Sequence, residues 1–153
     1  MDNNTLIEFL IKAKKHGYAA GGEDVVSRQA DGSKSTTFEQ GDFRYHDNYF
    51  GGEPFGGREV VWFKQKPYWM MVYYGQNRHD PKILIPFLVK ALSQPDTAMP
   101  LRGPKVLMGE EFVYINNWKG TMEKFSGQEY IYNKEKQLYY ALYQGGLVDQ
   151  EEG

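Results

Sequence analysis

The chain has 153 residues, with 18 lysine and arginine residues, 20 aspartate and glutamate residues and no cysteine. This length fits one domain over residues 1–153, and the lack of cysteine excludes a disulfide scaffold, a cysteine-based metal site and a thiol nucleophile. A formal net charge of −2 does not provide the broad basic surface of a sequence-independent nucleic-acid binder, so direct nucleic-acid binding is not expected.

The N-terminal segment predicts an amphipathic helix that begins near Asn4 or Thr5. Glu8 lies three residues after Thr5, as in a capping box, and apolar residues recur at helical spacing before Gly17, which can end the helix. Three lysines of this helix are expected to face solvent: Lys12, Lys14 and Lys15.

No segment for export or membrane insertion is predicted. No apolar run approaches the roughly 18 residues of a spanning helix, and residues 1–4 lack the charged-then-apolar build of a signal peptide. We therefore expect a cytoplasmic protein that does not bind membranes.

Polar and small residues from 21 to 35 predict a mobile surface loop. Two strands, at 36–39 and 43–49, follow and are joined by a hairpin turn at 40–42. Alternation along the second strand places one carboxylate among aromatic residues on a single face: Phe43, Tyr45, Asp47 and Tyr49.

A glycine-rich loop at 51–57 precedes the strongest hairpin of the chain. Its strands, 59–63 and 68–74, are joined by a turn at 65–67. Both strands are β-branched or aromatic at nearly every position, which predicts a central pair covered on both faces.

The C-terminal half is predicted to hold one helix followed by short strands. Asp80 and Pro81 form a favourable helix start, but Pro86 would remove an interior hydrogen bond, so the ordered helix is expected to begin nearer Ile85. Strands are predicted at 112–115, 122–125, 128–132 and 137–143. Turns are predicted at 116–120, 126–127 and 133–136, and the tail at 147–153 is expected to fray. The sum is an α+β domain in which two helices pack with an antiparallel sheet of about six to eight strands.

Aromatic residues are concentrated in the middle of the chain. Of the 24 Phe, Tyr and Trp residues, 11 lie between Phe43 and Tyr74, where an even distribution would give about five. Ordinary core packing accounts for most such rings; the alternative is a concave aromatic pocket with a few polar groups, the usual form of a small-molecule site. Under that alternative, the ligand-binding candidates are Tyr45, Asp47, Tyr49, Glu59, Trp62, Trp69, Tyr73 and Arg102. Because Trp62 alternates with its neighbours in its strand, some of these rings must belong to the core.

Asp47 needs a partner if its strand face points inward. A buried carboxylate must be hydrogen-bonded, paired with a cation or shifted in pKa. Arg102 lies between two prolines and is a candidate partner, because an arginine fork fits a carboxylate. The favoured interpretation is a structural ion pair that pins a loop to the sheet, and the alternative is that these groups orient a ligand.

No catalytic motif is present, so no catalytic residue, metal site or cofactor is assigned. The three histidines, His16, His46 and His79, lack metal-ligand spacing, and neither a nucleophile elbow nor a phosphate-binding loop occurs. Asp47 and Glu59 could act as acid and base, although their spacing along the chain fixes no geometry. An acid–base enzyme using these two carboxylates is therefore kept as an alternative.

Seven segments in a fixed order carry a resemblance to a known family: Phe9–Lys14, Tyr45–Gly52, Glu59–Trp62, Pro67–Gly75, Pro100–Pro104, Phe125–Glu129 and Tyr143–Gly146. The chain resembles a small bacterial domain family of uncharacterised function, which occurs alone and also behind XRE-type helix-turn-helix domains. The resemblance covers nearly the whole chain and implies no activity and no catalytic residue. The few residues before Thr5 leave no room for a helix-turn-helix segment, which agrees with the expectation that this chain does not bind DNA directly.

The leading hypothesis is a non-catalytic module that binds a small molecule or a peptide in an aromatic-lined cleft, related to the ligand-sensing domains of transcriptional regulators. The aromatic candidates would provide apolar contact, and Asp47 or Arg102 would fix the orientation of the ligand. Besides the acid–base enzyme, the other alternative is a protein-interaction or homo-oligomerisation module that uses exposed tyrosines.

Overall fold

The computed structural model describes residues 2–18 and 26–148, which form two helices and one antiparallel sheet. The helices are α1 (Asn3–Gly17) and α2 (Pro81–Leu92). The strands are β1 (Ser27–Arg28), β2 (Lys34–Gln40), β3 (Phe43–Gly51), β4 (Phe55–Phe63), β5 (Lys66–Asn77), β6 (Val106–Met108), β7 (Val113–Thr121), β8 (Lys124–Asn133) and β9 (Lys136–Leu147). The α+β class is as predicted, but the described residues form nine strands where six to eight were expected.

The sheet consists of two antiparallel meanders that meet near its centre. The strand order is β1-β2-β3-β4-β5-β9-β8-β7-β6, so β1 to β5 run inward from one edge and β6 to β9 run inward from the other. The connection from β5 to β6 contains α2, and the pairing of β5 with β9 places Tyr73 opposite Tyr143. Residues from both ends of the chain therefore share one sheet face.

The sequence pattern missed two short strands and wrongly interrupted two long ones with turns. The edge strands β1 and β6 have two and three residues, too few to show an alternation. The turns predicted at 116–120 and 126–127 are wrong, because these residues lie inside β7 and β8. Asn116 is buried in β7, where its side chain accepts a hydrogen bond from the Tyr143 hydroxyl, and the same Tyr143 ring packs over Gly127 of β8. Contacts with β9 thus hold these turn-forming residues in extended strands.

α1 begins slightly earlier than predicted. Asp2, rather than Asn4 or Thr5, caps the helix, and its side chain accepts a hydrogen bond from the backbone N–H of Asn4. The helix ends at Gly17, as predicted. Its buried stripe consists of Leu6, Phe9, Leu10, Ala13 and Lys14.

α2 starts at Pro81 with Asp80 as its cap and continues through Pro86, so the expected start near Ile85 is wrong. The carbonyl that Pro86 leaves without a donor belongs to Lys82, an exposed residue in the first turn, where water can hydrate it. None of the described helices is long and apolar enough to cross a membrane.

Segments expected to be irregular differ in extent from the prediction. Residues 21–25 of the loop expected at 21–35, and residues 149–153 of the tail expected at 147–153, lie outside the described residues. The remainder of the first segment contains β1 and the start of β2. The glycine-rich segment at 51–57 is a shorter loop than predicted, because β3 includes its first residue and β4 includes its last three.

Both helices pack against the same face of the sheet, which we call the inner face. The buried side chains of α1 pack with residues from the central strands, including Tyr45, Val61, Trp69, Met71, Tyr73 and Tyr143. The buried side chains of α2 pack with a second group, including Tyr114, Ile131, Tyr139 and Ala141. The core therefore lies between this face and the helices.

The close pairing of β5 and β9 makes a substitution at Gly145 costly. A Cβ atom on Gly145 would lie 2.0 Å from the backbone carbonyl oxygen of Met70, and a backbone atom cannot move aside as a flexible side chain does. We expect Gly145→Ala to lower the free energy of unfolding by about 2 kcal/mol, measured by urea unfolding. Gly52→Ala is the matched control, because its Cβ would meet no atom within 4 Å; equal losses in both variants would contradict this steric explanation.

Candidate functional site

A cavity of about 730 Å³ lies between the inner face and the two helices, a volume within the range of small-molecule sites. Its aromatic lining residues are Tyr18, Tyr45, Tyr49, Phe55, Tyr73 and Tyr139. Its lining residues from α2 are Pro81, Ile85, Leu88, Val89 and Leu92. The cavity therefore has a tyrosine-rich part on the sheet and an aliphatic part on α2.

Strand β3 supplies three residues of the cavity lining. Tyr45, Asp47 and Tyr49 alternate on the inner face, as predicted, and all three line the cavity. In the register with β4, Asp47 is opposite Glu59 and Tyr45 is opposite Val61. The pairing therefore brings two carboxyl groups side by side on the inner face.

Asp47 is a partly buried carboxyl that lines the cavity. Its Oδ1 atom accepts a hydrogen bond of 2.6 Å from the Tyr73 hydroxyl, and its Oδ2 atom has no hydrogen-bond partner among the described residues. Burial, and next the neighbouring Glu59, raise the pKa of Asp47 to about 7, while the Tyr73 hydrogen bond and the cations of Arg102 and Lys14 oppose this shift. The Asp47 carboxyl therefore changes its charge near neutral pH.

Glu59 is neutralised by Lys14 of α1. The Lys14 Nζ atom lies 2.6 Å from Glu59 Oε2 and donates a second hydrogen bond of 2.8 Å to the carbonyl of Leu101. The expectation that Lys14 faces solvent is wrong, because this residue follows Leu10 by one helical turn and shares its buried stripe. Glu59 is buried behind this ion pair and does not line the cavity, whereas Asp47 does.

Arg102 pairs with Glu129 of β8. The partner expected from the sequence, Asp47, is wrong. Its Nε and Nη2 atoms lie 3.1 and 2.7 Å from Glu129 Oε1, and the hydroxyls of Tyr114 and Tyr139 donate to the same carboxylate. Glu129 has no exposed surface, so without Arg102 it would be a buried charge with no cation. The expected ion pair between the loop and the sheet is present, with a different acid.

Five of the eight predicted site residues line the cavity: Tyr45, Asp47, Tyr49, Tyr73 and Arg102. The other three, Glu59, Trp62 and Trp69, do not. Trp62 points to the outer face of the sheet, where its ring lies 4.2 Å from the guanidinium carbon of Arg44. Trp69 is fully buried in the core, and its Nε1 atom donates to the carbonyl of Met122 at 3.2 Å.

Three aromatic lining residues were not among the predicted site residues: Tyr18, Phe55 and Tyr139. Phe55 and Tyr139 stack with their ring centres 6.1 Å apart, although they lie in β4 and β9. A local sequence pattern could not find this pair, because it depends on the order of strands in the sheet. Apolar residues recur at helical spacing in the α2 sequence, but this spacing is the same whether the helix faces a filled core or a cavity.

Three tyrosine hydroxyls of the lining are available to a ligand. The hydroxyls of Tyr18, Tyr45 and Tyr49 have no hydrogen-bond partner among the described residues, and burial raises the pKa of all three. They therefore remain protonated at neutral pH and can donate or accept a hydrogen bond.

A second pocket, of about 690 Å³, lies on the outer face of the sheet. Its apolar lining includes the exposed residues Val72, Tyr74 and Leu142. Its polar lining includes Lys119, Gln128 and Gln144, and no carboxylate of the described residues lines it. This surface differs from the cavity because neither helix covers it.

A model of one domain family, described as a domain of unknown function (DUF5680), matches residues 47–148. The comparisons with curated proteins and with solved structures found no match. The matched residues include β4 to β9, α2 and most of the cavity lining, so the match agrees with the predicted resemblance to an uncharacterised family.

Proposed function

Because the chain belongs to the DUF5680 family, whose function is unknown, we propose from its cavity that it is a non-catalytic module that binds a small molecule or a peptide side chain. The observation that carries this proposal is a cavity of about 730 Å³ on the inner face that the Asp47 carboxyl helps to line. Small-molecule sites are typically apolar cavities of this size with a few oriented polar groups.

The chemistry of the lining supports binding. Asp47 and the hydroxyls of Tyr18 and Tyr45 can exchange hydrogen bonds with a ligand, since each has an atom without a partner among the described residues. The α2 side chains Ile85 and Val89 are partly buried and present aliphatic surface to the same cavity.

We further propose a regulatory setting for this binding. The bacterial family that this sequence resembles also occurs behind XRE-type helix-turn-helix domains. The module would therefore bind its ligand in the cytoplasm as a sensor for transcriptional regulators. The binding of DNA itself would then belong to a separate domain or partner.

An acid–base enzyme is the second candidate, favoured by the pKa of Asp47 near 7. The enzyme considered from the sequence used Asp47 and Glu59 together as acid and base. Glu59 is sealed behind Lys14, so a reaction here would use Asp47 with the Tyr73 hydroxyl instead. A search for ligand turnover in the binding assays separates this candidate from a binding module.

A protein-interaction module is the third candidate, favoured by the exposed apolar residues of the outer face. Tyr74 and Leu142 are 53% and 50% exposed, and exposed apolar patches often mark interfaces. Size-exclusion mass measured against concentration tests whether the chain uses this face to self-associate.

Filling the cavity is expected to abolish ligand binding without unfolding the protein. In Val89→Trp the indole ring would occupy the aliphatic part of the cavity, because Val89 is partly buried and lines it. We expect compounds that raise the melting temperature of the wild-type protein in a metabolite screen to lose this effect in Val89→Trp. The stability of the unliganded variant should stay within about 1.5 kcal/mol of wild type.

Ile83→Trp is the matched control, because Ile83 lies in the same helix, is 50% exposed and does not line the cavity. This variant should respond to the same compounds as the wild type. The proposal is wrong if no compound class stabilises the wild-type protein, or if Val89→Trp responds as Ile83→Trp does.

A further inference from the structure

Three strand carboxyls lie on the inner face, and they differ in how their charge is balanced. Glu59 has the ammonium group of Lys14 at 2.6 Å, and Glu129 has the guanidinium of Arg102 at 2.7 Å. Asp47 has a neutral donor, the Tyr73 hydroxyl, and no ion pair within the described residues. Asp47 is therefore the carboxyl of this group that lacks a cation.

The neighbouring cations are not free to serve Asp47. The Lys14 ammonium already binds Glu59 and the carbonyl of Leu101, and the Arg102 guanidinium binds Glu129 through two nitrogen atoms. Moving either cation to Asp47 would leave a nearly fully buried carboxylate unpaired, which is strongly unfavourable. A cation for Asp47 must therefore come from outside these two pairs.

The surroundings of Asp47 suit an organic cation. Tyr45 and Tyr49 flank it on the same strand face, and both rings line the cavity. Aromatic faces attract cations electrostatically, and the guanidinium carbon of Arg102, 5.0 Å from the Tyr73 ring centre, is an example in the same site. Carboxylate and aromatic rings together form the type of surface that recognises ammonium groups.

The remainder of the cavity suits an apolar body attached to that cation. The apolar lining includes Phe55 and four aliphatic residues of α2: Ile85, Leu88, Val89 and Leu92. Glu53 of the loop between β3 and β4 also lines the cavity, and its carboxyl accepts a hydrogen bond from the backbone N–H of Asn77. Arg28 and Lys34 also line the cavity, from the edge strand β1 and its neighbour β2, and Lys34 lies over the Tyr49 ring at 5.4 Å. These two cations do not form an ion pair with Asp47.

We propose that the ligand is a small amphipathic organic cation whose ammonium or amidinium group binds the Oδ2 atom of Asp47 and whose apolar body lies against α2. This inference rests on the proposed binding function and specifies the chemical class of the ligand. Asp47 is the specificity-determining residue, since it distinguishes a cation from a neutral molecule of the same shape.

The test uses three probes of nearly equal shape that differ in charge: 4-phenylbutylammonium, 4-phenylbutanol and 4-phenylbutyrate. Dissociation constants are measured with the full chain by NMR titration at pH 8, where the Asp47 carboxyl is mostly ionised. We expect the ammonium probe to bind the wild-type protein about tenfold more tightly than the alcohol, the ratio that a charge-assisted hydrogen bond supplies, and the butyrate to bind most weakly.

In Asp47→Asn the preference for the ammonium probe over the alcohol should disappear, while the alcohol binds as in wild type, because asparagine keeps an oxygen acceptor for Tyr73. Asp42→Asn, a change at an exposed turn residue, should keep the wild-type preference. A retained preference in Asp47→Asn, or a wild-type protein that binds the alcohol or the butyrate as tightly as the ammonium probe, overturns the inference and leaves the binding function standing. A wild-type protein that binds none of the probes overturns the inference; if the metabolite screen also fails, the binding function is overturned with it.

Discussion

Replacing Arg102 with alanine is expected to lower the free energy of unfolding by about 3–5 kcal/mol, because the change leaves the Glu129 carboxylate buried without a cation. Glu129 is 0% exposed and receives two of its hydrogen bonds from the Arg102 side chain. The hydroxyls of Tyr114 and Tyr139 would remain as donors, but neutral donors do not replace the lost charge. Urea unfolding at pH 7 measures the loss.

A double variant separates the cost of an unpaired charge from the value of the ion pair. Arg102→Met combined with Glu129→Gln removes both charges and keeps similar volumes, so it should recover more than half of the loss seen in Arg102→Ala. Arg58→Ala is the control, since Arg58 is exposed and its loss should change stability by no more than about 0.5 kcal/mol. A double variant as unstable as Arg102→Ala would show that packing, and not charge, dominates at this position.

The effect of Arg102→Ala should also extend to the connection after α2. Leu101, beside Arg102, is fully buried, and the backbone N–H of Gly103 donates to the Tyr114 hydroxyl, which in turn donates to Glu129. One carboxylate thus anchors this connection through both a charge and a tyrosine. Faster hydrogen exchange at Leu101 and Gly103 in the alanine variant would reveal this loosening.

The sequence was sufficient to predict the part of the site that lies within one strand. Alternation alone places Tyr45, Asp47 and Tyr49 on one face, and the structure places all three in the cavity lining. The same rule would have excluded Trp62 once Glu59 was assigned inward, because residues three apart in a strand face opposite sides. Local periodicity therefore accounts for the three β3 residues of the cavity lining, and it could have excluded Trp62 from the candidates.

The rest of the site depends on contacts between distant segments, which periodicity does not encode. Tyr139 joins the cavity because β9 pairs with β5 on one side, as well as with its sequence neighbour β8 on the other. Arg102 binds Glu129 because the fold brings the connection after α2 next to β8, whereas only Asp47 was expected from the sequence as its acid. Lys14 looked like a solvent-exposed lysine until its acid, 45 residues away, was known to lie inside. Such pairs become visible when the strand order is known.

The burial of the Asp47 carboxyl beside Glu59, without an ion pair of its own among the described residues, has a cost in stability that can be measured. In the folded protein the pKa of Asp47 is about 7, raised from an ordinary value of 3.8. Between these two values the folded state holds its proton while the unfolded chain releases it, so this group makes the protein less stable as pH rises from about 4 to about 7. Above pH 7 the whole penalty is present.

Asp47→Asn should therefore stabilise the protein by ~2–4 kcal/mol at pH 8, and by no more than about half of that at pH 5. Asparagine has no charge to desolvate and still accepts the hydrogen bond from Tyr73, and Asp42→Asn should leave stability unchanged at both pH values. Urea unfolding of the wild type, Asp47→Asn and Asp42→Asn at pH 5 and pH 8 provides the measurement. If Asp47→Asn is less stable than the wild type at pH 8, the carboxylate supports the fold and the prediction is wrong. If the variant is instead more stable and has lost its preference for a cationic probe, then Asp47 lowers stability in exchange for ligand recognition, the relation expected of a binding-site residue.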